Sequence, residues 1–183
     1  MAHSRRDILR VGAGALTLGG MAFGAAAPAL ADIAPRSVAF HNLHTGESLD
    51  AVFWEQGEYV PDALSAVNHV LRDFRNGEVH VIEPRLLDLL HTLSARVGTG
   101  GPFQVISGYR SPATNAMLHS HSDGVAKSSL HMQGMAIDIR LPDVALDHLH
   151  AAALSLQAGG VGYYPSSDFV HVDVGRVRRW GAV

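Results

Sequence analysis

Ser129-Leu130-His131-Met132-Gln133-Gly134-Met135-Ala136-Ile137-Asp138 is the stretch on which the reading of this chain turns. On a continuous helix His131 and Asp138, seven residues apart, would share a face. Gly134 and the run Met135-Ala136-Ile137-Asp138-Ile139 instead favour a turn entering a strand. His131 then precedes the turn, and Asp138 projects from the strand. A partner is expected in Asp168-Phe169-Val170-His171-Val172-Asp173. There, strand alternation sends His171 and Asp173 to one face and the apolar residues to the other. Two antiparallel strands would bring Asp138 and His171 within reach of one metal ion. The two segments offer two imidazoles and three carboxylates, nitrogen and oxygen donors suited to a catalytic zinc. Such a site takes three protein ligands and keeps a fourth position open. The competing reading is a hydrogen-bonded His/Asp pair with His131 in a loop. Spacing alone leaves both readings open.

Composition narrows the classes. With 183 residues and 47% apolar content, the chain has room for one well-packed domain and an export signal. A formal net charge of -3 gives no basic field for nucleic acid. The absence of cysteine excludes disulfides, thiolate metal sites and cysteine nucleophiles. Twelve histidines are many for this length, but number alone does not make a site.

The first 31 residues read as an address label. Ser4-Arg5-Arg6-Asp7-Ile8-Leu9 carries a twin arginine, an apolar Gly/Ala-rich run spans 11–30, and Ala29-Leu30-Ala31 offers small residues for cleavage before Asp32. This predicts twin-arginine export, a mature domain over 32–183 in the periplasm, and no stable membrane span after cleavage. An uncleaved anchor is the alternative.

Within 32–183 the pattern predicts a hairpin over 38–53, its tip bearing His41 and His44 as solvated residues. A helix opens at Pro61 and runs to Asn76-Gly77, and a second opens at Pro84 and breaks at Gly98. A short strand, Phe103-Gln104-Val105-Ile106, ends in Ser107-Gly108-Tyr109-Arg110-Ser111-Pro112, a sharp turn that presents Arg110. The polar stretch 115–127, with His119 and His121 as weak ligand candidates, reads as a mobile loop beside the site. A third helix spans 144–157, followed by a strand at 161–163, a turn at 164–167 and the strand of His171.

Ser129-x-His131-x-x-Gly134-x-Ala136-x-Asp138 followed by a strand histidine resembles the signature of the M15 peptidases. These are zinc D-Ala-D-Ala carboxypeptidases, dipeptidases and murein endopeptidases. Ser107-Gly108-Tyr109-Arg110-Ser111, Gly159-Gly160-Val161-Gly162-Tyr163-Tyr164-Pro165 and the closing Arg179-Trp180 extend the resemblance over nearly the whole mature chain, and bring it nearest to the murein endopeptidases. It implies an α+β fold, a small antiparallel sheet with helices packed on one side and zinc in a groove. It implies His131, Asp138 and His171 as ligands and Ser129 as a substrate contact; Arg110, presented by the turn just before the metal segment, is expected to hold the scissile carbonyl oxygen as charge develops there. The implied substrate is the cross-linked stem peptide of peptidoglycan, cut at D-Ala–diaminopimelate and diaminopimelate–diaminopimelate bonds. The expected general base is Asp173, which shares a strand face with His171. Asp168 is second, three positions before the ligand histidine, where relatives carry an acidic residue. A D,D- or L,D-carboxypeptidase, a non-catalytic wall-binding module and a metal-buffering protein are the competing functions.

Overall fold

Strand alternation builds the scaffold. The computed structural model describes residues 34–121 and 126–181, so the export-signal reading of 1–31 lies outside the described residues. Strands β1 (Arg36–Asn42) and β2 (Ser48–Glu55) form the expected hairpin, and β3 (Glu58–Tyr59) adds a short edge. The remaining strands are β4 (Phe103–Ser107), β5 (Ala136–Arg140), β6 (Gly160–Tyr164), β7 (Phe169–Asp173) and β8 (Arg178–Gly181). Their order across the sheet is β3-β2-β1-β4-β5-β7-β6-β8. The class is α+β, as expected. The sheet is larger than expected and mixed, because β1 pairs with β4 and β6 with β8 in parallel. Each parallel pair is joined through intervening elements, as parallel strands require.

Helices α1 (Pro61–Val70), α2 (Pro84–Val97) and α4 (Leu146–Leu156) share one core with the sheet. Leu86, Leu87, Leu90 and Leu93 of α2 are fully buried there with Phe40, Phe53, Phe103, Ile137, Ile139, Leu149 and Val170. On β5 and β7 the apolar residues take this face, so Asp138, His171 and Asp173 take the other. The central strands thus carry core on one side and chemistry on the other. Among the described residues no helix is long and apolar enough to cross a membrane.

Three local expectations are corrected. Helix α1 ends at Val70 instead of continuing to Asn76. The cause is Asp73, a buried carboxylate that accepts from the backbone N–H of Arg75 at 3.0 Å and of Ser111 at 2.9 Å. A side chain bonding nearby backbone competes with the helix. The polar stretch 115–127 also begins as helix, α3 (Pro112–His121). Ser111 caps it, its Oγ accepting from Thr114 N at 3.2 Å, and proline opens it. His44 is likewise more than a solvated tip: its ring stacks on Phe74 at 3.7 Å, and its Nε2 meets the Ile106 carbonyl at 2.9 Å.

The burial contrast makes a stability prediction. Leu90→Ala should lower unfolding free energy by about 2–5 kcal/mol, read from a denaturant melt. Val52→Ala, on the exposed face of β2, should stay within about 0.5 kcal/mol.

Candidate metal centre

The strand pair β5–β7 fixes the site, because their antiparallel register sets Asp138 opposite His171. His131 arrives from a 3-10 turn, Leu130–Gln133, whose first turn is capped by Ser129, Oγ accepting from His131 N at 3.3 Å. Gly134 closes the turn at φ 65°, where a β-carbon would also run into the Val81 carbonyl. The turn is tied to the Arg110 loop by Arg110 N, which donates to the His131 carbonyl at 3.2 Å.

Three ring and carboxylate atoms converge. His131 Nε2 lies 3.2 Å from His171 Nδ1 and 3.3 Å from Asp138 Oδ1, and His171 Nδ1 lies 2.9 Å from the same oxygen. All three residues are buried, and among the described residues they form a group that could hold a metal ion. The outer nitrogens are engaged elsewhere. His131 Nδ1 meets the Gly108 carbonyl at 2.8 Å, and His171 Nε2 meets Asp173 Oδ2 at 3.0 Å. Both partners are acceptors, so both outer nitrogens carry the proton. The two inner nitrogens then present lone pairs to each other and to a carboxylate oxygen. Three converging buried acceptors are satisfied by a positive charge shared among them, a proton or a bound cation. The separations also suit one, since bonds of 2.0–2.1 Å in a tetrahedron imply edges of about 3.3 Å. Nitrogen and oxygen donors with no sulfur match zinc or a similar divalent ion.

The electrostatics agree. Burial would raise the Asp138 pKa, but His131 and His171 override it and hold the carboxyl far below its usual range. Burial would lower that of His171, but its bonds to Asp138 and Asp173 push it up to about 8. In the metal-free chain a proton thus takes the cation's place.

Arg110 stands beside the centre, its NH2 group 3.6 Å from Asp138 Oδ2 and 3.3 Å from Ser107 Oγ. Its Nε is buried without a hydrogen-bond partner, the one such side-chain atom among the described residues. The centre opens into a groove of 560 Å³ lined by Arg110, Ser129, Tyr164, Phe169, Arg178 and Trp180 among others. His119 and His121 lie on α3 and do not join the converging group.

The two carboxylates considered as general base differ sharply. Asp173 is on the His171 face, as alternation demands, but it is fully buried. It accepts from Gly160 N, Gly175 N and both terminal nitrogens of Arg178, besides facing His171. Burial would raise its pKa, yet these partners hold it well below the carboxylate range. Its place is behind the histidine, not in the groove. Asp168 is exposed, at φ 54° in the turn after Pro165–Ser167, and its Oδ2 accepts from Arg140 at 2.6 Å. Its neighbours Ser167 and Phe169 line the groove. Asp73, which sequence reasoning missed, pins the Arg110 loop through Ser111 N. Its signal was a charged residue interrupting an apolar helical pattern.

Comparison with known proteins identifies the family. Residues 31–180 match a family model described as Peptidase_M15_2, peptidoglycan L,D-endopeptidase MepK. The peptidoglycan L,D-endopeptidase MepK of Escherichia coli K12 is 47% identical over 171 residues, covering 90% of this chain and 94% of that protein. A probable peptidoglycan L,D-endopeptidase MepK of Haemophilus influenzae is 41% identical over 175 residues, with 92% and 94% covered. The chain belongs to this M15-type peptidase family and is a hydrolase of that class.

His171 makes stability depend on pH. Its folded pKa of about 8 lies above the unfolded value of 6.5. The metal-free protein therefore gains stability that is full below pH 6.5 and lost as pH rises through about 8. Urea melts in chelator at pH 6 and pH 8.5 should differ by about 2 kcal/mol from this group. His171→Ala should lack that share of the decline, and zinc should abolish it by replacing the proton. Equal slopes for wild type and variant would contradict the geometry.

Proposed function

We propose that the chain is a zinc-dependent endopeptidase that opens peptide cross-links of peptidoglycan. The observation that carries this is the cluster of three buried, inward-facing acceptors beside a partly buried arginine whose Nε is buried and unpartnered, in a groove. His131, Asp138 and His171 would hold the ion. The chemistry that zinc supplies at such a centre is polarisation of a carbonyl and a water pKa lowered to about 7.

The chain's own residues do the rest. Arg110 is held in place by Ser107 and Asn115, and its guanidinium takes the carbonyl oxygen of the scissile bond as negative charge develops there. Because it is already ordered and partly desolvated, little reorganisation is needed at that moment. Ser129 turns its hydroxyl inward to cap the His131 turn, yet lines the groove as well, and there it contacts the substrate backbone. Asp168 is assigned as the group that takes the proton from the attacking water and passes it to the leaving amine. Asp173, the base expected from strand alternation, gives way because its carboxylate is buried and already shared among five donor groups.

The relatives are named for L,D bonds. Among the expected substrates, diaminopimelate–diaminopimelate cross-links therefore rank first and D-Ala–diaminopimelate second. Such a substrate lies outside the cytoplasm, consistent with periplasmic action after twin-arginine export directed by residues 1–31.

Two experiments test the proposal. The purified protein is incubated with cross-linked muropeptide dimers and with uncross-linked pentapeptide monomers, and products are resolved by chromatography. Dimers should yield monomers. Trimming of pentapeptides with dimers left intact would make it a carboxypeptidase, and no turnover of either would make it a binding module. For the base, Asp168→Asn should lower kcat by about 10²–10⁴-fold with zinc content unchanged. Wild-type turnover in that variant would remove Asp168 from the role.

A further inference from the structure

We infer that Arg178, on the last strand of the sheet, is a positioning residue for the metal centre that acts through Asp173 on His171; this rests on the metal reading of the site. Arg178 reaches back from β8 with a bidentate grip, NH1 donating to Asp173 Oδ1 at 3.0 Å and NH2 to Asp173 Oδ2 at 2.7 Å. The same Oδ2 faces His171 Nε2 at 3.0 Å. A carboxylate on the outer nitrogen of a ligand histidine fixes the ring's orientation and tautomer, and so keeps the inner nitrogen bare for metal. Here that carboxylate is itself fully buried. Its direction is set by the planar fork of an arginine, a geometry that lysine cannot reproduce.

The packing around the relay supports its being built for this purpose. At Gly160 a β-carbon would collide with both the Arg178 guanidinium and Asp173 Oδ2. At Gly162 one would press to 2.8 Å against the ring of Trp180, which lies two residues past Arg178. That ring sits 5.0 Å from the His171 ring, and its Nε1 donates to Tyr164 at 2.8 Å. Glycines on β6 thus let the β8 side chains Arg178 and Trp180, which also line the groove, pack against Asp173 and His171. Two side chains of one short strand, Arg178 and Trp180, hold a ligand that belongs to another.

The test is a double-mutant cycle on zinc affinity, measured by competition with a chromophoric chelator, with near-UV circular dichroism of the metal-free proteins as the check of fold. Arg178→Gln and Asp173→Asn should each weaken zinc binding by about 10–100-fold. The double variant should be no weaker than Asp173→Asn alone, because Arg178 acts through that carboxylate. Arg178→Lys should fall between wild type and Arg178→Gln. If Arg178→Gln leaves Asp173 too unbalanced to fold, the double variant and Arg178→Lys carry the same comparison. Wild-type zinc affinity in Arg178→Gln, with only KM for muropeptide raised, would overturn the relay and make Arg178 a substrate contact. Additive losses in the double variant would overturn it too. A wild-type protein that binds no zinc would instead sink the metal reading itself.

Discussion

Two imidazole nitrogens and a carboxylate oxygen converge on one buried point, and that convergence governs this structure. His131 Nε2, His171 Nδ1 and Asp138 Oδ1 lie 2.9–3.3 Å apart in a buried position. Buried acceptors facing one another are costly unless a positive charge joins them. The arrangement persists because each inward atom is forced by a bond on its outward side. The Gly108 carbonyl turns one ring, Asp173 turns the other, and the β5–β7 register sets the carboxylate opposite His171.

Much of the remaining architecture serves that geometry. Helices α1, α2 and α4 take the opposite sheet face, leaving β5 and β7 between core and groove. Asp73 cuts α1 short, and by holding Ser111 N it fixes the loop that carries Arg110. The same loop supplies the Gly108 carbonyl to His131 and receives its own anchor when Arg110 N donates to the His131 carbonyl. Metal centre and arginine are therefore one mechanical unit, and displacing one moves the other.

The sequence disclosed the parts whose physics is local. Gly134 announced the turn, the run after it announced a strand, and alternation placed His171 and Asp173 on one face. The proline-opened helices and the strand-turn-strand ending at His171 were legible for the same reason. What alternation cannot say is which atom reaches which neighbour. Asp173 shares the face of His171, yet backbone N–H groups of Gly160 and Gly175 and the fork of Arg178 claim it. Gly175 and Arg178 follow within five residues and Gly160 comes from β6, and only the folded geometry turns all of them onto one carboxylate. The early end of α1 was hidden in a like manner, since Ser111, the partner that holds Asp73, comes 38 residues later. The two parallel strand pairs also depend on long-range closure. Ser111-Pro112 reads as the end of a sharp turn, and it also opens α3, because Ser111 Oγ accepts from Thr114 N.

The most direct test of the central claim is X-ray absorption at the zinc edge on the purified, metal-loaded protein. Two imidazole ligands, oxygen or nitrogen in the remaining shell at about 2.0 Å, and no sulfur scatterer are the expected result. One imidazole should disappear in His131→Ala and one in His171→Ala. A wild-type spectrum with one imidazole or none, or one unchanged by both substitutions, would place the metal elsewhere and contradict the account.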